Sequence, residues 1–548
     1  MAHALAGKPV QEQDIIDVQT IVDAYFDNVP DVTNPTQLVS FGTSGHRGTS
    51  VDGTFTDLHV AAITQAICDG RKQFGATGPI FVGQDTHALS QPALVTVLEV
   101  LAGNGVTAMV DCDMDFVPTP SVSRAIIRYN EEHDDKADGI IITPSHNPPD
   151  NGGIKYNTII GGPADMVVTK WIEMRANEYL TAYCESEDFK RISIDNIEPT
   201  AQVPYDYKGL YVEELGDVIN MEAIKAAGPK VLVDTLGGSG ASYWNAIKER
   251  YGLDLTIIHD DYDPTFSFMT YDHDGKVRMD CSSTYVMASV INRIGDFDLA
   301  VGNDPDYDRY GIVVSSGLIS ANTFLTLAAR YLFTTRGWKN KGVGKTVVCT
   351  TMIDKWAADA ETPVFEVPVG FKYFSQLLFD GAIGIGGEES AGASFLKKDG
   401  TVWTTDKDGM IMALLSMEIM AVMGKSALKM ADESLEEFGN PSFGRIDAPC
   451  KKEQKQILKQ MSAELITATT VDGDPITNIR TTSLYNDMPI DGVRVETDKG
   501  WFVARPSGTE DLYKIYGESY KGDLGLVALL TAGEEIVNAA LNGTIETE

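Results

Sequence analysis

A serine, a histidine and a lysine lie close together in the stretch from Gly139 to Asn157, GIIITPSHNPPDNGGIKYN. The β-branched run at 140–142 predicts a strand. Three prolines after it cannot continue a sheet ladder or a helix, so Ser145 is expected on a stiff turn at the strand end. Lys155 follows a Gly-Gly pair that folds it back toward the serine. A hydroxyl on a rigid loop beside a lysine predicts a nucleophile.

A second polar motif, DPDYDR, places three carboxylates at alternate positions: Asp304, Asp306 and Asp308. Oxygen ligands at this spacing suit a hard cation such as Mg²⁺ or Ca²⁺. An EF-hand is excluded because Arg309 and Ser315 stand where that motif needs Gly and Glu. Mg²⁺ completes its shell with phosphate oxygens, so the motif favours phosphoryl transfer, with Arg309 beside the metal. A solvated acidic loop is the alternative.

Three further loops carry groups that bind anions or sugars. Arg505 to Thr509, RPSGT, offers a guanidinium, two hydroxyls and a glycine, which suits a phosphate cradle or an ordinary turn. Glu388 and Ser390, in GGEESAG, can accept hydrogen bonds from sugar hydroxyls, although a solvated loop would look the same. Lys407 lies in a turn of common surface composition, and Arg47 lies in the glycine-rich stretch FGTSGHRG.

Composition restricts the class of protein. At ~100–200 residues per domain, 548 residues predict three to five domains. A net charge of −35 repels nucleic acid and anionic membranes alike. Six scattered cysteines without a CxxC indicate free thiols in a reducing compartment. The N-terminus lacks the layout of a signal peptide, and the longest apolar stretches are strand-sized, so we expect a cytoplasmic protein without membrane helices.

Strand and helix patterns alternate three times, and each round ends in one of the polar loops. Such alternation is typical of parallel α/β units, in which ligands bind beyond the carboxyl ends of the strands. The pattern changes after residue 441, toward a smaller α+β unit. We therefore predict three similar α/β domains with mixed or parallel sheets and a smaller C-terminal α+β domain around a central cleft. The expected domains are 1–205, 206–322, 323–440 and 441–548.

The individual elements are predicted from the same patterns. Expected strands, or strands running into a loop, are 78–85, 106–113, 229–238, 253–260, 296–309, 344–353 and 381–392. Expected helices are 91–105, 241–252, 451–465 and 524–541.

Four loops in this order, TPSHNP, DPDYDR, GEESAG and RPSGTE, resemble those of the α-D-phosphohexomutases, and the resemblance extends along nearly the whole chain. The GEES form, together with SHNPPDNGGIKYN and VPVGFKYF, is similar to the bacterial phosphoglucomutase branch. Phosphomannomutase and phosphoglucosamine mutase relatives typically carry GEMSGH or GEQSGH. Here Ala391 and Gly392 stand in the last two positions, so that loop supplies no histidine.

The resemblance implies a role for each residue at the reacting end of the site. Ser145 would be the phosphorylated serine, and its phosphoryl oxygen would join Asp304, Asp306 and Asp308 around Mg²⁺. Lys155 would act as general acid or base, and His146 would touch the substrate. The residues implied to contact the transferring group are Arg47 and Arg309.

At the other end, the resemblance implies residues that hold the sugar and its second phosphate. Glu388 and Ser390 would select the sugar hydroxyls, with Lys407 beside them. Gly370 would contribute backbone only, because Val369 replaces the threonine common in eukaryotic relatives. The residues implied to hold the non-reacting phosphate are Arg505, Ser507, Gly508 and Thr509.

The implied reaction is the reversible interconversion of α-D-glucose 1-phosphate and D-glucose 6-phosphate, with glucose 1,6-bisphosphate as intermediate and activator. A phosphomannomutase or phosphoglucosamine mutase is the first alternative, and a phosphosugar-binding protein without enzymatic activity is the second. The expected partner is a small phosphosugar, with no nucleic acid and no membrane, and the expected assembly is a monomer or homodimer.

Overall fold

The structure is a computed structural model that describes residues 2–42, 44–184, 189–507 and 512–541. In this part of the chain, four sheets follow one another in chain order, and each has its own helices. The first three sheets contain parallel strands, whereas the pairings within the fourth are antiparallel. The predicted fold class is confirmed.

The first sheet has the strand order β1-β5-β4-β2-β3-β6. Its strands are β1 (His46–Thr49), β2 (Ile80–Gln84), β3 (Ala108–Asp111), β4 (Asp138–Ile142), β5 (Asn151–Asn157) and β6 (Gln202–Tyr205). Its helices are α1 (Val18–Asp27), α2 (Asp57–Gly70), α3 (Ser90–Gly103), α4 (Thr119–Glu132) and α5 (Met166–Cys184). Every residue of β2 and β4 is buried, as expected for parallel strands covered on both faces.

The second sheet has the order β11-β10-β9-β7-β8. Its strands are β7 (Val231–Asp234), β8 (Leu255–Ile258), β9 (Leu299–Asn303), β10 (Tyr310–Val314) and β11 (Gly317–Leu318). Its helices are α6 (Tyr207–Val218), α7 (Met221–Ala227), α8 (Ala241–Tyr251) and α9 (Ala288–Ile291). The N-terminal arm of the chain also packs here, because Pro9 pairs with Thr270 and Leu5 joins this unit's core.

The third sheet has the order β13-β12-β14-β15. Its strands are β12 (Gly342–Thr346), β13 (Val364–Val367), β14 (Ile383–Gly387) and β15 (Ala393–Phe395). Its helices are α10 (Ala321–Arg336), α11 (Met352–Asp359), α12 (Lys372–Phe379), α13 (Gly409–Met423) and α14 (Ala427–Phe438). One hydrophobic core runs from Tyr211 to Phe438 and joins the second and third units.

The fourth sheet has the order β16-β21-β20-β19-β18-β17. Its strands are β16 (Ser442–Pro449), β17 (Thr470–Val471), β18 (Asp474–Thr482), β19 (Pro489–Thr497), β20 (Gly500–Pro506) and β21 (Leu512–Ser519), and its helices are α15 (Lys452–Lys459) and α16 (Gly522–Leu541). The expectation of only strand-sized apolar stretches was wrong for α16, which is long and apolar enough to span a membrane. Here α16 packs on its own sheet through Leu529, Val537 and Ala540.

One feature recurs in the first three units. In each, a fully buried strand with a parallel neighbour (β4, β9 or β14) ends in a polar loop, and the next strand returns antiparallel to it. These loops carry Ser145, the three aspartates and Glu388. The repeated strand-and-loop pattern predicted from the sequence is therefore present.

The predicted strands and helices are present, but two predictions differ from the structure. The helix predicted at 451–465 ends at Lys459, and a separate 3-10 helix covers Ala463–Leu465. The segment 344–353 was predicted as one strand, but β12 ends at Thr346 and α11 begins at Met352. Between them, Val347 and Val348 are buried against the fourth unit. Their β-branched side chains serve a contact between units, so the strand pattern was misleading at this position.

Candidate active site

Ser145 lies on the loop after β4 in a left-handed backbone conformation, with φ of 60°. Its side chain is buried, and its Oγ donates a hydrogen bond to Asp304 Oδ2 over 2.9 Å. The ring of His146 is close, with Nδ1 at 3.3 Å from the same Oγ. The loop of the first unit thus brings its serine directly onto the acidic loop of the second.

The carboxylates of Asp304, Asp306 and Asp308 are buried, and one oxygen from each lies within 4.8 Å of the other two. Among the described residues, Asp306 Oδ1 and Asp308 Oδ1 are buried oxygens without a hydrogen-bond partner. Burial, followed by repulsion from Asp306 and Asp308, raises the pKa of Asp304 well above its ordinary value. Converging hard oxygens, two of them unpaired, fit a divalent cation.

Two lysines from different units face this cluster. Lys155 Nζ donates to Asp306 Oδ2 over 2.5 Å and to Asp308 Oδ2 over 3.2 Å, and Lys407 Nζ lies 2.9 Å from Asp308 Oδ2. Burial opposes the charged form of Lys155, but Asp306 and Asp308 outweigh it and raise the pKa of the lysine. Lys155 therefore carries a proton at neutral pH.

The two arginines and His146 surround the serine. Arg309 donates its backbone N–H to Asp304 Oδ1 over 2.9 Å and its Nη1 to Asp280 Oδ2 over 3.1 Å. Arg47 donates Nη1 to Asn147 Oδ1 over 3.4 Å. The Nε atoms of both arginines are buried and have no hydrogen-bond partner within the described part of the chain, and Arg309 Nε lies 3.9 Å from Asp308 Oδ1. Unpaired guanidinium donors beside a serine suit the oxygens of a phosphoryl group.

Glu388 and Ser390 lie in the loop between β14 and β15, and Glu388 is buried. Burial raises the pKa of Glu388 to about 7, while the nearby Lys407 opposes the rise. The backbone joins this loop to the end of the acidic loop, because Tyr310 N–H donates to Ala391 O over 3.1 Å. The second and third loops therefore form one continuous surface.

The remaining predicted residues belong to the third and fourth units. Gly370 follows β13 with φ of 133°, a conformation that favours glycine. Arg505 lies in β20 and donates Nε to Ile490 O over 3.4 Å, and Ser507 N–H donates to Leu512 O. Arg505 opposes the rise in the pKa of Tyr373 that burial and Asp491 cause, so it lies near the helix that follows Gly370. Gly508 and Thr509 lie outside the described residues.

Sequence reasoning missed residues that hold the site from outside. Asp280 binds Arg309 and lies 3.9 Å from His146 Nε2. Thr119, at the start of α4, donates its backbone N–H to Asp306 O over 2.9 Å and its Oγ1 to Asp306 Oδ2 over 2.8 Å. The Thr-Pro pair at 119–120 is a helix-start signal that could have marked Thr119, whereas no local pattern marks Asp280.

Comparison with known proteins agrees with this arrangement. Phosphoglucomutase/phosphomannomutase family models match the chain in order: alpha/beta/alpha domain I at 38–182, domain II at 210–317, domain III at 320–438 and the C-terminal domain at 447–524. A phosphoglucomutase of Komagataeibacter xylinus is 46% identical over 539 residues, which is 97% of each chain. Phosphoglucomutase 1 of Saccharomyces cerevisiae is 27% identical over 90% of each chain.

Solved structures share the fold. The open form of pp63/parafusin, a phosphoglucomutase from Paramecium, has a TM-score of 0.72 at 20% identity and covers 95% of this chain and 97% of its own. A phosphoglucomutase/phosphomannomutase family protein from Burkholderia thailandensis has a TM-score of 0.68 at 20% identity and covers 92% and 98%. The chain belongs to the phosphoglucomutase/phosphomannomutase family, within the α-D-phosphohexomutases, and a bacterial phosphoglucomutase matches it over 97% of its length.

Proposed function

We propose that this chain is an isomerase that interconverts α-D-glucose 1-phosphate and D-glucose 6-phosphate by phosphoryl transfer through a phosphoserine. The observation that carries the proposal is the hydrogen bond from Ser145 Oγ to Asp304 Oδ2, inside a cluster of three buried aspartates. The 46% identity to a phosphoglucomutase over 97% of the chain supports glucose as the sugar.

At the reacting end, Asp304, Asp306, Asp308 and a phosphoryl oxygen on Ser145 would hold Mg²⁺. When bound there, Mg²⁺ supplies positive charge that offsets the charge of the transferring group. Arg47 and Arg309 add donors from the side, and their unpaired Nε atoms support that role.

A proton must reach Ser145 Oγ when its phosphoryl group leaves for the sugar. Lys155 is our proposed donor because its raised pKa keeps it protonated at neutral pH. The sugar hydroxyl that accepts the phosphoryl group releases one proton, so the step moves one proton in net from the sugar oxygen to Ser145 Oγ. In the reverse direction the same amine takes the proton back from the Ser145 hydroxyl. His146, 3.3 Å from Ser145 Oγ, orients the hydroxyl and touches the substrate.

At the distal end, Glu388 and Ser390 accept hydrogen bonds from the sugar, and Lys407 adds a donor. Backbone atoms of Gly370 line the same side. The residues proposed to hold the non-reacting phosphate are Arg505, Ser507, Gly508 and Thr509. The product of the first transfer is glucose 1,6-bisphosphate, which turns over so that Ser145 regains a phosphoryl group from its other end.

The limits 1–205, 206–322, 323–440 and 441–548 remain our proposal for the domains, and each of the four sheets lies inside one of them. Free thiols at Cys68, Cys112, Cys281 and Cys349 and the net charge of −35 support a cytoplasmic location without nucleic-acid partners. A monomer or homodimer remains our proposal for the assembly.

Mass spectrometry of the intact chain tests the mechanism. The protein is incubated with Mg²⁺ and glucose 1,6-bisphosphate, and its peptides are mapped. We expect one phosphoryl group on Ser145, lost in Ser145→Ala together with turnover, and unchanged in the exposed control Ser193→Ala. An active enzyme that never carries phosphate at Ser145 would overturn the mechanism.

A substrate panel tests the sugar. We expect kcat/KM for glucose 1-phosphate to exceed that for mannose 1-phosphate and glucosamine 1-phosphate. Comparable values would favour a phosphomannomutase or phosphoglucosamine mutase. Binding of these phosphosugars without any interconversion would instead indicate a binding protein.

A further inference from the structure

The buried carboxylate of Asp85, just after β2, accepts four hydrogen bonds behind the serine loop. Its Oδ1 accepts from Ser90 Oγ over 2.6 Å and from the backbone N–H of His87 over 3.0 Å. Its Oδ2 accepts from Thr143 Oγ1 over 2.5 Å and from His87 Nδ1 over 2.9 Å. All four residues are buried. Four donors fill the acceptor positions of one carboxylate, so Asp85 is held rigidly.

Thr143 links the Asp85 carboxylate to the backbone of Ser145. Because its hydroxyl proton points to Asp85, its oxygen is free to accept a hydrogen bond, and it accepts one from the backbone N–H of Ser145 over 2.7 Å. Ser145 has a φ of 60°, which costs about 1–2 kcal/mol for a residue other than glycine. A fixed acceptor for its N–H keeps the serine in this conformation.

His87 holds the other end of the loop. Its Nδ1 faces the Asp85 carboxylate, and its Nε2 lies 3.0 Å from the carbonyl oxygen of Asn147. Both neighbours are acceptors, so both ring nitrogens donate and the ring is an imidazolium. Burial lowers the pKa of His87, but Asp85 outweighs burial and raises it, which agrees with a charged ring.

We propose that Asp85, acting through Thr143 and His87, is a positioning residue that sets Ser145 Oγ against Asp304. The inference rests on the proposed function. Through Thr143 and His87, Asp85 fixes the loop at the backbone N–H of Ser145 and at the carbonyl oxygen of Asn147. These two groups come before and after the Ser145 side chain along the chain. Other loops hold the sugar and its distal phosphate. Loss of the contacts with Ser145 and Asn147 therefore slows phosphoryl transfer but leaves substrate binding unchanged.

Variants of Asp85 and Thr143 test the inference in the full-length protein. We measure single-turnover transfer from glucose 1,6-bisphosphate to Ser145, kcat, KM and Tm for Asp85→Asn, Thr143→Val and Thr143→Ser. Asp85→Asn and Thr143→Val should lower the transfer rate and kcat by about 100-fold, a loss typical of a misplaced reacting group, with little change in KM. Thr143→Ser keeps the hydroxyl and should restore most of the rate.

Asp138→Asn is the matched control. Asp138 is the first residue of β4, the strand that leads to Thr143 and Ser145, and it is as buried as Asp85. Its carboxylate accepts hydrogen bonds from Arg71 Nη2 over 2.5 Å and from Tyr156 OH over 2.7 Å. It lies at the opposite end of the strand from the loop. Its loss should lower Tm yet leave the transfer rate close to that of the unaltered protein at temperatures where the variant is folded.

Transfer at the unaltered rate in both Asp85→Asn and Thr143→Val, or a loss no larger than in Asp138→Asn, would overturn the inference. If Asp85→Asn does not fold, the contrast between Thr143→Val and Thr143→Ser decides. If the unaltered protein takes up no phosphoryl group, the proposed function falls and the inference falls with it. If the unaltered protein takes up a phosphoryl group but the variants do not behave as predicted, only the inference is overturned.

Discussion

Ser145 Oγ and Asp304 Oδ2 are joined by a hydrogen bond of 2.9 Å, although 159 positions separate the two residues in the chain. The bond crosses from the first unit to the second, and both groups are buried. The proposed nucleophile and the proposed cation site therefore meet at one contact between the two units, which requires the units to stay in register.

Removal of divalent cations should abolish turnover reversibly. Without a cation, the buried Oδ1 atoms of Asp306 and Asp308 have no hydrogen-bond partner among the described residues, and the phosphoryl charge is not offset. We expect activity to fall by about 100-fold or more after chelation and to return with Mg²⁺. Asp306→Asn should not recover, whereas Asp113→Asn, in an exposed acidic cluster, should behave as the unaltered protein. Full activity in metal-free buffer would contradict the prediction.

Gly392→Ala should lower kcat/KM because it displaces the side chain of Lys407. A Cβ at position 392 would lie 2.2 Å from Lys407 Cδ, so the lysine must move away from Asp308. We expect kcat/KM to fall about 10–100-fold with little loss of stability, because a flexible side chain can give way. Gly295→Ala is the control, since its Cβ would meet nothing within 4 Å.

A double-mutant cycle decides whether the effect of Gly392→Ala runs through the lysine. If it does, adding Gly392→Ala to Lys407→Ala should change kcat/KM no further. Additive losses in kcat/KM would show that Gly392 acts independently of Lys407.

Glu388→Gln should increase stability at alkaline pH while reducing activity. The folded pKa of Glu388 is about 7, raised by burial from an ordinary value of 4.5. The folded state therefore binds a proton more tightly, and this contribution is full below pH 4.5 and lost as the pH rises through 7. At pH 8 the variant should gain up to about 3 kcal/mol in the free energy of unfolding.

Chemical denaturation at pH 4.5 and pH 8 measures this difference for both proteins, and the gap between them should grow with pH. A gap in unfolding free energy that stays constant over that range would count against a raised pKa at Glu388. Loss of kcat/KM in the same variant would support its role in holding the sugar.

Breaking the ion pair between Arg480 and Glu366 should loosen the fourth unit from the third. Arg480 donates Nη1 and Nη2 to the two oxygens of Glu366 over 2.6 and 2.9 Å, and both side chains are buried. Arg480→Met removes both guanidinium donors from the buried Glu366 carboxylate, while Lys345 and Arg494 stay nearby, so it should cost at most about 3–5 kcal/mol.

Thermal unfolding and limited proteolysis near residue 440 measure this loosening. Lys521→Met is the control, because Lys521 pairs with Asp472 and Asp474 at the surface, where solvent screens the charges and the pairs add little stability. Equal effects of the two substitutions on Tm would show that the Arg480–Glu366 pair does not secure the interface.

The sequence by itself determined the four loops, their order and the strands that end in them. These features depend on local rules, since β-branched runs form strands, and prolines, glycines and clustered polar residues end them. Chemical type then predicted a nucleophile and a set of cation ligands, and it left a sugar-binding carboxylate and a solvated loop open as alternatives for Glu388. The resemblance to the family added the roles that residue type alone left open.

Only the tertiary structure decided which side chains hold those residues in place. The contacts of Lys155 with Asp306 and Asp308, and of Asp280 with Arg309, join residues that no periodicity links. The same is true of the Asp85 network behind Ser145. Such contacts depend on how the units pack together, and burial at their junctions sets the charges and pKa values of the site. Local sequence patterns carry no information about that packing.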